Sequence, residues 1–151
     1  MADYTVRPAC AADSPAVVAL SNMWQNEGSI RGNMALDAGD ERLQDWLDGE
    51  YFLVGESDGV VVSYAVGAVK LGKGPVFDPE GERFLELQRV FVHAGHRGGG
   101  LGSRLVEALL NKAKAAGVQR SIVGSNNIDW RAIHRFYERQ GFKMLSIDMF
   151  R

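Results

Sequence analysis

The segment from residue 84 to residue 105 constrains the fold most, because it indicates a buried strand, a glycine turn and the start of a helix. Residues 84–92 are rich in Leu, Val and Phe, and apolar residues recur at helical spacing from Leu101 onward. Four glycines lie in the run 98–102 between them. Glycines here allow a sharp turn and let a ligand reach backbone N–H groups that a side chain would cover.

The same turn predicts an anion site, because the first N–H groups of a helix have no partner inside the helix. The helix dipole adds partial positive charge at this end, which favours phosphate. Two common phosphate-binding patterns do not fit. A triphosphate loop needs Gly-x4-Gly-Lys followed by Ser or Thr, and a dinucleotide fingerprint needs Gly-x-Gly-x-x-Gly. The residues that follow Gly98 and Gly100 match neither pattern.

The turn does resemble the acyl-CoA signature of the Gcn5-related N-acetyltransferase (GNAT) superfamily, Arg/Gln-x-x-Gly-x-Gly/Ala after a strand that ends in Val. Arg97, Gly100 and Gly102 occupy the three defining positions, and Val92 precedes the Arg in the expected strand. Further on, residues 136–142 look like the superfamily's Tyr-x-x-x-Gly-Phe segment. Two motifs in this order imply that the resemblance covers nearly the whole chain, as a single N-acetyltransferase domain over residues 1–151.

Composition narrows the remaining classes of function. A chain of 151 residues that is 46% hydrophobic can form one domain with its own core. A net charge of −2 without a basic cluster argues against nucleic acid, and a single cysteine, Cys10, forms neither an intramolecular disulfide nor a zinc site. The first residues lack a signal peptide, and no apolar run approaches the ~20 residues of a membrane span. We expect a soluble cytoplasmic protein without nucleic-acid or membrane partners.

Local patterns predict the order of the elements. Asp13, before Ser14 and Pro15, is a helix N-cap candidate, and Ser57-Asp58-Gly59 indicates a hairpin turn. The resemblance implies an α/β (α+β) fold of GNAT type: a central mixed, mostly antiparallel sheet that splays beside Val90, with helices on both faces. The expected strands are 4–8, 51–56, 60–71, 84–92, 118–124 and 142–150, and the expected helices end near residues 25, 47, 117 and 141.

Two residues are candidates for acid–base catalysis. Glu86 lies within the apolar central strand, where a charge is costly unless it is paired or used. In GNAT relatives a glutamate at this place acts as general base, and the resemblance implies the same for Glu86. The alternative is a structural ion pair with Arg83 or Arg89. Tyr137 is the implied general acid that protonates the departing thiolate, and the alternative is a core tyrosine on an apolar helix face.

The resemblance also implies how the co-substrate acetyl-CoA is bound. Main-chain groups of Val90, Phe91 and Val92 would contact the pantetheine arm, and Asn126 or Asn127 would add a hydrogen bond, although the interval from Asn to Tyr137 is longer than usual. His93 and His96 lack the partners of a metal site, so no metal is expected. The pyrophosphate would lie on the N–H groups of the turn, formed by Arg97, Gly98, Gly99, Gly100, Leu101, Gly102 and Ser103.

The acceptor side is less specific. In the superfamily the first two helices and their loop cover the acceptor, so the candidates are Trp24, Glu27, Arg31, Asn33 and Met34. The implied function is N-acetylation of a primary amine on a small molecule, by direct attack in a ternary complex. A peptide or protein acceptor (N-terminus or lysine) and a non-catalytic acetyl-CoA sensor stay open as alternatives. Because many relatives are dimers, a homodimer is possible.

Overall fold

The computed structural model describes residues 3–74 and 79–151, and in these residues one five-stranded sheet forms the centre of the molecule. Neighbouring strands are antiparallel except for the last pair, which is parallel. This is the mixed, mostly antiparallel sheet that the sequence predicts. In sheet order the strands are β1 (Tyr4–Pro8), β2 (Phe52–Ser57), β3 (Val60–Leu71), β4 (Arg83–Val92) and β5 (Arg120–Val123).

Helices cover both faces of the sheet, as predicted. They are α1 (Ser14–Asn26), α2 (Glu41–Asp48), α3 (Leu101–Ala115) and α4 (Trp130–Arg139). Apolar residues of α1 and α2, such as Leu20 and Leu43, pack with Val66 and Phe91 of the sheet. On the opposite face, apolar residues of α3 form a second core with Leu85 and Leu87. Two aromatic residues of α4, Phe136 and Tyr137, pack against the edge of this core. The alternation of side chains along β4 supplies both cores.

The sheet opens on one side of β4. The parallel pairing of β4 with β5 extends from Phe84 opposite Arg120 to Leu87 opposite Val123, whereas β4 continues to Val92. A β-bulge at Gln88 interrupts the pairing with β3 at the same level, since Leu87 pairs with Gly67 and Arg89 pairs with Val66. A bulge increases local bending of a strand. Beyond Leu87 the two strands therefore leave a gap, as the sequence predicts beside Val90.

The predicted last strand, 142–150, is wrong, because residues 142–151 form no strand in the part of the chain that the structure describes. Alternating apolar residues favour a strand only when a neighbouring strand pairs with their backbone. This segment has no such pairing, and its apolar side chains remain exposed. The exposed ones are Met144, Leu145, Ile147, Met149 and Phe150.

Arg7 on β1 joins the sheet to the start of α1 through two ion pairs. It contacts Asp13 at 2.7 Å and Glu56 at 2.6 Å. Asp13 does not cap α1 with its side chain; its carboxylate accepts instead from Arg7 and from the backbone N–H of Cys10. The hydrogen bond from Arg7 lowers the pKa of Asp13 to about 2, although burial acts in the opposite direction.

This depressed pKa predicts an acid-sensitive contribution to stability. A carboxyl whose folded-state pKa lies below its unfolded value of 3.8 stabilises the protein above that pH, and the contribution disappears as the pH falls towards 2. We expect Asp13→Asn to lower the free energy of unfolding at pH 7 by about 2 kcal/mol and to flatten its decline between about pH 4 and pH 2. Urea unfolding across this pH range measures both effects. Asp37→Asn, at an exposed residue, should leave the acid-dependent loss of unfolding free energy in place. If Asp13→Asn loses stability between about pH 4 and pH 2 as steeply as the unmodified protein, Asp13 is not the source of this loss.

Candidate active site

The gap between β4 and β5 is lined by free backbone groups of β4. The N–H of His93 donates to the carbonyl of Val62 on β3 at 2.9 Å. Because successive N–H groups of a strand point to opposite edges, those of Val90 and Val92 point away from β3 and into the gap. This edge of β4 has no strand partner beyond Leu87 in the described residues. An extended amide-bearing ligand can pair with it as an additional strand would.

The glycine turn leads from this edge to the start of α3. Gly98 and Gly100 both have φ near +82°, a conformation that residues with a side chain rarely adopt. No side chain caps α3, and its first internal hydrogen bond runs from the N–H of Arg104 to the carbonyl of Gly100. A Cβ added to Gly99 would lie 3.0 Å from the ring of Tyr4, so this backbone packs closely on β1. The open N–H groups therefore form a cradle that fits a pyrophosphate.

The side chain of Arg97 points away from this cradle. Its Nε donates to the carbonyl of Val92 at 2.9 Å, and its Nη2 pairs with Glu27 at the end of α1 at 2.6 Å. The guanidinium also lies over the ring of Phe91. In the same region, the hydroxyl of Ser103 accepts a hydrogen bond from Gln140 at 2.8 Å. The side chain of Arg97 thus ties the turn to α1, and its backbone N–H donates to the carbonyl of Ala94 at 3.5 Å.

Glu86 lies on the α1–α2 face of β4, because its neighbours Leu85 and Leu87 face the core of α3. Its Oε1 accepts from Lys70 at 2.8 Å and from Gln88 at 3.2 Å, and about a third of the side chain is exposed (34%). Burial raises the pKa of Glu86, but the bonds from Lys70 and Gln88 and the charge of Lys70 outweigh it, so the pKa is lowered. The ion-pair partner is Lys70, not Arg83 or Arg89 as the sequence suggested.

Tyr137 lies on the opposite face, at the edge of the core formed with α3. Its ring packs edge-on against Phe136 and Phe142, and burial raises the pKa of its hydroxyl to about 12. The partly buried residues of this core also include Val90 and Val123, which flank the gap. Glu86 and Tyr137 thus lie on opposite faces of the sheet.

The loop after α1 contacts the loop before α4. The N–H of Arg31 donates to the carbonyl of Asn126, the N–H of Ile128 donates to the carbonyl of Ser29, and Ile30 forms an isolated bridge with Asn127. The amide oxygen of Asn127 is occupied by the N–H of Asp129. The exposed side chain of Asn126 makes no hydrogen bond within the described residues. Of the two asparagines, Asn126 is the freer to contact a ligand.

The five acceptor candidates occupy different environments. Trp24 is buried and stacks on Phe91, with ring centroids 5.2 Å apart. Glu27 is held by Arg97, Asn33 accepts from the N–H of Ala35, and Arg31 lies over the ring of Phe150. Met34 is the one whose backbone carbonyl contacts β4, where it accepts a hydrogen bond from Arg89 at 2.8 Å. The structure therefore brings Met34 to the strand of Glu86 and places Trp24 in the core.

Arg89 and a neighbouring cavity were not identified from the sequence. The guanidinium of Arg89 is buried on the α1–α2 face, although β4 is otherwise mainly apolar on both sides. A charged residue in such a strand is the same signal that pointed to Glu86. A cavity of about 450 Å³ borders this region and has an acidic wall. It is lined by Asp45, Trp46, Gly49, Glu50, Tyr51, Gly67, Ala68, Val69 and Gln88.

The described residues contain neither a metal-binding cluster nor a membrane-spanning helix. Residues 3–74 and 79–151 contain no cluster of three or more His, Cys, Asp or Glu side chains arranged to hold a metal ion. No helix in the same residues combines the length and apolar character needed to cross a membrane.

Comparisons with known proteins agree with this geometry. Residues 19–142 match the model of the acetyltransferase (GNAT) family. The L-methionine sulfoximine/L-methionine sulfone acetyltransferase of Salmonella typhimurium is 31% identical over 144 residues, which cover 91% of this chain and 79% of the relative. The L-amino acid N-acyltransferase MnaT of Escherichia coli is 32% identical over 64% of this chain and 52% of its own length.

A solved structure supports the same relationship. The acetyltransferase yncA from Salmonella typhimurium, determined with its cofactor acetyl-CoA, superposes with a TM-score of 0.73 at 28% sequence identity. The match covers 95% of this chain and 81% of that structure. The cradle at the start of α3 and the open edge of β4 fit the same co-substrate. The chain belongs to the acetyltransferase (GNAT) family and is an acetyl-CoA-dependent acyltransferase.

Proposed function

We propose that this protein transfers the acetyl group of acetyl-CoA to a primary amine of a small molecule, by direct attack in a ternary complex. The observation that carries the proposal is the gap between β4 and β5, where the pairing of the two strands ends at Leu87 while β4 continues to Val92. Glu86 lies on the α1–α2 face, next to Leu87 where the pairing ends, and Tyr137 lies on the α3–α4 face. An amine and a thioester can therefore meet in the gap without a covalent enzyme intermediate. The single cysteine, Cys10, is exposed between β1 and α1, which gives no support to an acyl-cysteine route.

Each candidate residue has a role that suits its position. Bound acetyl-CoA supplies a thioester with an electrophilic carbonyl. The N–H of Val90 points into the gap, where it can donate to an oxygen that gains negative charge in the transition state. Glu86 accepts the proton of the incoming ammonium. Tyr137 stays protonated at neutral pH and donates to the departing sulfur, and because a thiol has a pKa near ~8.5, this donation stabilises the thiolate more than it transfers a proton.

Three observations favour a small acceptor over a peptide. The backbone contacts between residues 29–31 and 126–128 hold the loop after α1 against the loop before α4, a closed arrangement that suits a small acceptor. The cavity bordering Gln88 has a volume of about 450 Å³, within the range of small-molecule sites. Both curated relatives described above carry names that refer to amino acids or their derivatives.

The first experiment is a thermal-shift titration with acetyl-CoA, CoA and ATP, followed by a thiol-release screen over amines, amino acids and short peptides. A ligand that binds only the folded state at 100 times its Kd stabilises it by ~2.7 kcal/mol. We expect a shift with the two CoA species and not with ATP, together with thiol release for small amines. A shift without release for any acceptor would favour the sensor function. Release with peptides alone would contradict the small-molecule assignment.

A further inference from the structure

Arg89 is a buried cation that the proposed mechanism does not use. Its side chain is only 7% exposed. Its Nη1 donates to the carbonyl of Met34 at 2.8 Å and to the hydroxyl of Tyr64 at 3.3 Å, and its guanidinium lies 5.1 Å from the centre of the Trp46 ring. Every one of these partners is neutral. Arginine keeps its positive charge in proteins, so this charge is largely desolvated and makes no direct contact with an anion among residues 3–74 and 79–151.

The remaining nitrogens of Arg89 are available. Nε and Nη2 make no hydrogen bond with residues 3–74 or 79–151, and no carboxylate of these residues forms an ion pair with Arg89. In this part of the chain, Ser63 Oγ is the side-chain atom that is fully enclosed and has no hydrogen-bond partner. Nε and Nη2 of Arg89 also lack a partner but are not fully enclosed, so they keep an opening to solvent. Asp40 is near enough for its pKa to respond to the charge of Arg89, but its oxygens are taken by Arg42 at 2.7 and 2.9 Å.

The position of Arg89 relative to Glu86 suggests what the nitrogens bind. Arg89 pairs with Val66 and Glu86 pairs with Ala68, two residues further along β3. Val66 packs in the core formed with α1 and α2, and Ala68 lies on the same face of β3 two residues away. Their partners on β4, Arg89 and Glu86, therefore also lie on the α1–α2 face. Strand geometry then separates the two side-chain positions by about 7 Å. One acceptor molecule can therefore present an amine to Glu86 and an anion to Arg89.

The neighbouring cavity supports this arrangement. The cavity of about 450 Å³ is lined by Trp46 and Gln88, among other residues. The ring of Trp46 lies against Arg89, and the side chain of Gln88 donates to Glu86. Its wall also carries Asp45 and Glu50, whose negative charges favour an ammonium group. The site thus combines acidic groups with one buried cation, a distribution that complements a zwitterion.

We infer that Arg89 binds the carboxylate of the acceptor through Nε and Nη2, and that the acceptor is an α-amino acid; this rests on the proposed acetyltransferase function. A guanidinium can present two parallel N–H donors to one carboxylate. The amine and carboxylate of an α-amino acid are attached to the same carbon, so the carboxylate at Arg89 orients the amine towards Glu86 and the gap. Arg89 is a specificity-determining residue that selects the acceptor and takes no part in proton transfer.

The test compares matched acceptors. L-methionine, L-phenylalanine and L-leucine are assayed by thiol release against their α-amides, and each rate is divided by the fraction of acceptor that is present as ammonium, the form that Glu86 deprotonates, at the assay pH. We expect kcat/KM to be about 30-fold or more higher for the acids. Arg89→Gln should remove this preference by lowering kcat/KM for the acids alone, whereas Arg89→Lys should retain part of it. Arg139→Gln, at an exposed arginine of α4, is the matched control and should change neither rate.

Three outcomes decide the inference. An unmodified enzyme that acetylates acids and amides equally overturns it, and this result does not depend on whether any variant folds. It is also overturned if Arg89→Gln lowers both rates alike while the acetyl-CoA affinity stays unchanged. If no acceptor releases thiol, the proposed function fails, and binding is measured instead. Calorimetric titration of L-phenylalanine and its amide into the CoA complex then supports the anion site only if the acid binds more tightly and Arg89→Gln abolishes the difference.

Discussion

Replacing Gly100 by Asp is expected to lower the affinity for acetyl-CoA by about 100-fold or more while the protein stays folded. Gly100 directly precedes the first residue of α3, and no side chain caps this helix. A carboxylate introduced here lies next to the free N–H groups and the positive end of the helix dipole, where it occupies the place of the pyrophosphate. The loss of two hydrogen bonds to a charged ligand, each worth about 1.5–3 kcal/mol, accounts for a change of this size.

The control for Gly100→Asp is the same substitution at the other end of α3. Gly117 has φ of +81° against +82° at Gly100, so both variants carry similar backbone strain. Only Gly100 borders the cradle. Calorimetric titration with CoA should therefore show weak binding for Gly100→Asp and ordinary binding for Gly117→Asp, with circular dichroism verifying both folds. Binding by Gly100→Asp within tenfold of the unmodified protein would show that the pyrophosphate does not rest on this turn.

The elements that were predicted well are those determined by neighbours in the sequence. β3 has the predicted bounds of residues 60–71, because Asp58 and Gly59 form a tight turn with positive φ that sets where the hairpin begins. The start of α3 after the glycine turn follows from the same local chemistry. In both cases glycine determines the backbone conformation whatever packs around it.

The features that were missed depend on contacts between distant parts of the chain. Arg89 is buried because Met34, 55 residues away, and Tyr64, 25 residues away, accept its hydrogen bonds. The pairing of Glu86 with Lys70 follows from the register of β3 and β4, in which Ala68 lies opposite Glu86. The predicted last strand is wrong for the same reason. Residues 142–150 alternate as a strand would, but a strand forms only when another strand pairs with its edge, and the sequence of this segment does not show whether one does.

Glu86→Gln is expected to lower kcat/KM for amine acceptors by about 100-fold, the size of a typical general-base contribution, without changing the affinity for CoA. The substitution keeps the shape of the side chain and an oxygen that can accept from Lys70 and Gln88. Glutamine cannot take the proton of an ammonium. Steady-state thiol release measures kcat/KM, and calorimetry measures CoA binding. Glu107→Gln, at an exposed glutamate of α3, should leave both quantities unchanged.

The pH dependence separates a base from a merely structural carboxylate. Because the pKa of Glu86 is lowered from its ordinary value of 4.5, Glu86 is ionised throughout the neutral range. If Glu86 deprotonates the bound ammonium, the kcat/KM of the unmodified enzyme should stay level through the neutral range and fall only where the free acceptor ammonium loses its proton. The acid limb of the pH profile, which belongs to Glu86, should appear only below pH 4.5. Lys70→Met removes a hydrogen bond and a charge that lower this pKa, so the limb should move to higher pH. If Glu86→Gln retains the unmodified rate at every pH, Glu86 is a structural partner of Lys70 and the proton leaves by another route.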